Sequence, residues 1–142
     1  MSFKLNDFQT KWIQEEIDES CIAFMEGFGF HLCDKRDPDS RPGYNAVTTS
    51  QMRNIFSEVK RIELKVNDKD GWKKEKTSVL LLRPKIAYSA ARAISGKRDS
   101  KMKDLREVLE KAIQAVNGAD DFKRFAAFLE GVIAYHKVHG GN

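Results

Sequence analysis

Apolar residues along this chain recur at spacings of three, four and seven, and no stretch alternates convincingly with the period of two that a half-buried strand requires. The pattern predicts an all-α protein, a compact bundle of about five helices. A first helix is expected over about residues 8–28. There Phe8, Ile13, Ile17, Phe24, Met25 and Phe28 share a side, acids occupy the other, and Gly27 and Gly29 end it. Residues 34–44 hold Pro38, Pro42 and Gly43 among alternating charges, which is loop composition.

The second helix has the clearest start. Thr48-Thr49-Ser50-Gln51 fits a capping box, with Val47 and Met52 spaced as a hydrophobic staple. Met52, Ile55, Phe56, Val59 and Ile62 form its apolar stripe, and Arg53, Ser57, Lys60 and Arg61 fall opposite as a basic one. Residues 67–76 are polar, and Asp70-Gly71 reads as a turn. Trp72 is expected as a lid over the core rather than a stacking platform.

A third helix is predicted from about Ser78 to Ile94, with Pro84 either in its first turn or at a kink. Lys85, Ser89 and Arg92 align there as a second basic stripe, and Leu80, Leu81 and Leu82 point around the circumference, so this end is expected to be buried or at an interface. After a basic loop over Gly96–Ser100, Met102, Leu105, Val108, Leu109, Ala112, Ile113 and Val116 mark a fourth helix, closed by Gly118. Asp120 or Asp121 is expected to cap a fifth. Its core stripe is Phe122, Phe125, Ala126, Leu129, Ile133 and His136. Phe128 and Tyr135 form a second ridge, so the helix is either central to the bundle or faces another subunit, and both residues are candidate interface positions. Gly131, in its interior, suggests a close helix contact.

Composition narrows this picture. With 142 residues, 41% hydrophobic and 32% charged, the chain fits a single helical domain over 1–142 with one core and little material for a large buried pocket. The longest aliphatic run, Val79 to Leu82, is far below the roughly 18 residues of a membrane span, and the first residues lack a secretory layout. Two cysteines, Cys21 and Cys33, fit a reducing compartment. A soluble, cytoplasmic protein with no membrane partner is the expectation. Charge is unevenly spread. Residues 50–103 carry fifteen Lys or Arg against six Asp or Glu, a net +9, while residues 1–28 carry −4. So local an excess suggests a polyanion partner, because each neutralised phosphate releases counterions.

Catalytic chemistry is thin. His136 and His139 lie three apart with no third or fourth ligand to complete a metal set, and His136 falls on an apolar stripe as a core histidine would. Cys21 sits among acids that raise a thiol's pKa. No Walker loop, dinucleotide-binding glycine pattern or nucleophile elbow is present, and no metal or cofactor is expected. These features favour binding over catalysis.

Three blocks carry a family resemblance. They are Val47-Thr48-Thr49-Ser50-Gln51-Met52-Arg53-Asn54-Ile55, then Leu82-Arg83-Pro84-Lys85-Ile86-Ala87-Tyr88-Ser89-Ala90-Ala91-Arg92, then Phe122-Lys123-Arg124-Phe125 through Phe128-Leu129-Glu130 and on to Ala134-Tyr135-His136-Lys137-Val138-His139-Gly140-Gly141. In this order and spacing they resemble the small helical subunit of type III-A CRISPR effector complexes, the Csm complexes, over roughly residues 46–141. The resemblance implies a non-catalytic subunit whose copies stack head to tail as an inner filament. The filament lies beside backbone subunits that hold the guide RNA, and it lines the groove where guide and target RNA pair. Cleavage and cyclic nucleotide synthesis belong to other subunits, the large subunit among the partners. By motif, Gln51 and Arg53 of the Ser-Gln-x-Arg block and Arg83, Lys85 and Arg92 of the second become candidate RNA contacts. Lys60 and Arg61 join them from the basic stripe. Ala91 stands where the family pattern suggests glycine or another small residue, which changes slightly how closely that helix approaches a neighbour. Two other readings compete: a helical protein-binding adaptor whose basic surface is incidental, and a small enzyme using a histidine and a carboxylate.

Overall fold

The computed structural model describes residues 3–34, 45–94 and 100–141. The predicted loop at 34–44, Asp34 apart, and the basic loop before Ser100 therefore lie outside the described residues. Among the described residues six α-helices follow a short 3-10 turn at Leu5–Asp7: α1 (Lys11–Gln14), α2 (Glu19–Cys33), α3 (Thr49–Glu63), α4 (Lys69–Ala93), α5 (Met102–Gln114) and α6 (Ala119–Val138). Among the described residues there is no strand, only an isolated bridge between Asn45 and Ser100. The all-α expectation holds, with one helix more than expected.

The extra helix comes from the N-terminal segment. The predicted helix over 8–28 is broken at Glu15–Asp18 and continues to Cys33. Asp18 caps the restart by accepting a hydrogen bond from the Cys21 amide at 3.0 Å. Arg124 of α6 closes the other side of the break: its guanidinium donates to the carbonyls of Ile13 (2.7 Å) and Gln14 (3.2 Å), and is held by Asp121 at 2.7 Å. A charged fork satisfying the last carbonyls of a four-residue helix makes a stop there inexpensive. Nothing in the local sequence announces a partner 110 positions away.

Gly29 does not end α2. It sits where α2 crosses α6, and a Cβ there would lie 2.7 Å from the His136 amide nitrogen. Gly131 answers from α6, where a Cβ would collide with the Met25 sulfur, so the close contact expected at this glycine is present. Around the crossing gather Phe8, Trp12, Phe24, Phe28 and Phe128, with ring centroids 5.3–6.1 Å apart in the contacting pairs. Phe128 is fully buried among them, which corrects its assignment to a subunit interface. The second ridge of α6 makes that helix central to the bundle. Tyr135 is half-buried and packs against the core beside Gly29.

The capping box of α3 is formed as expected, with Thr48 Oγ1 accepting from the Gln51 amide at 3.1 Å and Gln51 Oε1 accepting from the Thr48 amide at 2.8 Å. Val47 beneath it is buried, its amide donating to the Leu32 carbonyl and its carbonyl accepting from the buried His136 ring at 2.7 Å.

The predicted turn at Asp70-Gly71 is instead the first turn of α4, which begins at Lys69 rather than Ser78. Asp68 is its cap, accepting from the Gly71 amide at 2.8 Å, and the glycine is needed because a Cβ would strike the Lys65 carbonyl. Trp72 is half-buried against the core, as a lid would be. Pro84 lies in the interior of α4 on its exposed side, where water can take the carbonyl its ring leaves unbonded. Gly118 precedes α6 as its N-terminal flank rather than closing α5, and Asp121 accepts from the Asn117 amide at 2.9 Å.

Two measurements check this packing. Phe128→Ala should destabilise the isolated chain by about 3–5 kcal/mol in urea unfolding, whereas an exposed interface residue would leave stability nearly unchanged. Burial, with Asp18 nearby, pushes the Cys21 thiol up to about 12, and burial also raises Cys33. At pH 8 an alkylating reagent should therefore modify Cys21 only when the protein unfolds and should reach the half-exposed Cys33 slowly.

Candidate nucleic-acid interface

Helix α3 packs against α6 on one side and α4 on the other, and α4 in turn rests on α5. Buried stripes fix the rotation of both: Met52, Ile55, Val59 and Ile62 on α3, and Val79, Leu82, Ile86 and Ala90 on α4. Between them runs a groove enclosing about 440 Å³. Asn54 and Glu58 form one wall, Lys85, Tyr88, Ser89 and Arg92 are on the other, and the buried Ile55, Leu82 and Ile86 lie between them.

Glu58 organises the charge here. Its Oε2 accepts from Lys85 of α4 at 3.0 Å and from Arg61 of α3 at 3.1 Å. The two cations, Lys85 foremost, hold its carboxyl below the usual range. These bonds are exposed: Lys85 and Arg61 retain 53% and 46% of their side-chain surface. Ion pairs this open to water contribute about 0–1 kcal/mol, so a stronger anion can displace them. Arg92 lines the same groove with its guanidinium 5.7 Å from the centre of the Tyr88 ring.

The seven candidate RNA contacts therefore separate. Lys85 and Arg92 line the α3–α4 groove, and Arg61 reaches its edge through Glu58. Arg53 is exposed on the outer side of α3 and makes no hydrogen bond or ion pair with the described residues. Lys60 turns toward α6: it binds Glu63 at 2.8 Å, which raises its pKa, and it lies over the Phe56 ring. Gln51 has committed its carboxamide oxygen to the helix cap, leaving only its NH₂ for a ligand. Arg83 lies about 200° around α4 from Lys85, on the opposite flank. It is half-buried, its Nε shut from solvent without a hydrogen-bond partner. Two stripes on paper are thus a groove cluster and several outlying polar residues.

Sequence reasoning missed Tyr88, although its place four residues before Arg92 is a spacing at which helix side chains touch. Glu58 is held by Lys85 and Arg61, and Glu63 by Lys60.

Other polar centres are structural. His136 is buried, with its ring nitrogen donating to the Val47 carbonyl. His31 donates to Asp104 at 2.7 Å, tying α2 to α5, while the buried Lys101 ammonium donates to the His31 carbonyl at 2.8 Å. Among the described residues no three of His, Cys, Asp and Glu gather as a metal set, and no helix is long and apolar enough to cross a membrane.

Comparison with curated proteins and with solved structures finds no match. The family model described as Csm2 Type III-A matches residues 40–142. That span takes in α3 to α6, and with them the capping box of α3, both walls of the groove and the central α6. The chain belongs to the Csm2 family, a small subunit of the type III-A Csm complex.

Proposed function

We propose that this subunit works without catalysing a reaction, as an RNA-backbone clamp and scaffold in the cytoplasmic type III-A complex. Copies of the single helical domain stack head to tail and meet the backbone and large subunits. The α3–α4 face lies against the paired guide and target RNA. Arg61, Lys85 and Arg92 take phosphates at the groove and its edge, and Gln51, Arg53, Lys60 and Arg83 add outlying contacts.

One observation carries this reading: the exposed Lys85 and Arg92 line a single groove whose one lining carboxylate, Glu58, is shared by Lys85 with Arg61 of the facing helix. A phosphate approaching the groove meets cations held in weak, water-exposed pairs, and it competes with Glu58 for them. Lys and Arg contacts to phosphate position a strand without reading its sequence, so binding is sequence-independent.

A second feature supports the scaffold half of the proposal and is shared with the adaptor reading. Leu80 and Leu81 of α4 are 54% and 50% exposed, and apolar side chains left outward on one helix suit contact with neighbouring subunits. Phe128, being internal, takes no part.

RNA affinity should fall linearly with salt on logarithmic axes. Replacing Arg53, Lys85 and Arg92 together by Ala should reduce the magnitude of that slope by about 3 while leaving the circular dichroism spectrum unchanged. Unaltered target binding by an assembled complex carrying the triple variant would refute the clamp. Glu58→Gln should strengthen RNA binding, since it removes the carboxylate that competes for Lys85 and Arg61; weaker binding would mean that Glu58 orients the cations rather than competing for them.

A further inference from the structure

Tyr88 is 64% exposed at the edge of the α3–α4 groove, and phosphate contacts give its ring nothing to do. We propose that the groove is a docking site for one unpaired RNA nucleobase. Tyr88 is the stacking platform, Arg92 backs the ring, and Lys85 takes the adjoining phosphate. The proposal rests on the RNA-binding reading above and names the part of the RNA that this groove receives.

Shape argues first. The groove floor is made by Ile55, Leu82 and Ile86, all buried, and its volume of about 440 Å³ falls within the roughly 300–1,000 Å³ of small-ligand sites. A continuous duplex presents phosphate ridges that reach the rim of such a cleft but leave its apolar floor empty. A base swung out of the stack brings a flat ring of the right character to that floor.

Chemistry argues second. With the Arg92 guanidinium 5.7 Å from the ring centre, Tyr88 has enough open surface to take a base in face-to-face stacking. Every base has such a face, so the platform is tolerant of sequence. Asn54 and Ser89 offer both donors and acceptors at the rim, able to meet differing base edges.

Charge argues third, against a second copy of the chain presenting this same face. Lys85 and Arg92 line it against the single lining carboxylate of Glu58, which Arg61 also neutralises, and this leaves the groove cationic. Two such faces repel, whereas a nucleotide brings the phosphate that the rim requires.

The test uses the full chain with two RNA duplexes of equal length. One is fully paired, and the other carries a single bulged 2-aminopurine. The bulged duplex should bind at least about 5-fold more tightly, and stacking on Tyr88 should quench the 2-aminopurine fluorescence on binding. Tyr88→Ala should weaken the bulged complex about 5- to 150-fold, bring the bulged-to-paired ratio to about one and abolish the quench. Tyr88→Trp should preserve both signals. Equal, salt-sensitive binding of the two duplexes without quenching would overturn the groove assignment while leaving the clamp intact. A Tyr88→Ala variant that keeps the bulge preference but loses self-association would assign the ring to a second copy instead. Failure of the unmodified chain to bind either duplex would overturn the RNA-binding reading itself.

Discussion

The close crossing of α2 and α6 sets the position of nearly every other element. Helices that meet through ordinary side chains stand 8–10 Å apart; here Gly29 and Gly131 remove the side chains that would hold them off, bringing the α2 backbone against the amide of His136 and Met25 against α6. The aromatic side chains of α1, α2 and α6 then fill the space around the crossing. Since α6 is also the helix on which α1 and α3 pack, its placement is inherited by the rest of the bundle. Arg124 extends that control to the N-terminal segment by holding the last carbonyls of α1.

The groove is a consequence two steps removed. α6 and the capping box fix the rotation of α3, the buried stripe of α3 fixes α4, and the polar edges of both helices are left facing across a cleft. His136 contributes at a distance, because its bond to the Val47 carbonyl anchors the residue from which α3 departs. The histidine that its apolar stripe marks as a core residue is buried, and it supports the start of α3 from inside the bundle.

The electrostatics of the groove are those of a surface meant to be rearranged. A buried ion pair loses several kcal/mol when one partner is withdrawn, and cations so held would be unavailable to a ligand. The pairs of Glu58 are exposed instead, worth little, and shared between two cations. They order Lys85 and Arg61 without committing them. The exposed Tyr88 beside Arg92 adds an aromatic surface to the same cleft, which gives the cationic edge a second kind of contact to offer.

Helix content, the capping box with its staple and the core faces of α3, α5 and α6 were legible in the order of residues, because 3.6-residue periodicity and cap chemistry act over a few positions. The blocks around Ser50-Gln51-Met52-Arg53 and Arg83-Pro84-Lys85 also carried the family, since they are local strings. The break at Glu15–Asp18 was not legible, because the guanidinium that stabilises it belongs to Arg124. Nor was the start of α4, where Asp-Gly chemistry serves a turn and a helix cap equally well until the Lys65 carbonyl crowds the glycine. The list of basic residues was fixed by sequence. Which of them meet was decided only by the packing of α3 on α4, because a cluster is a relation between helices, and Arg83 and Lys85, two positions apart, end on opposite flanks of one cylinder.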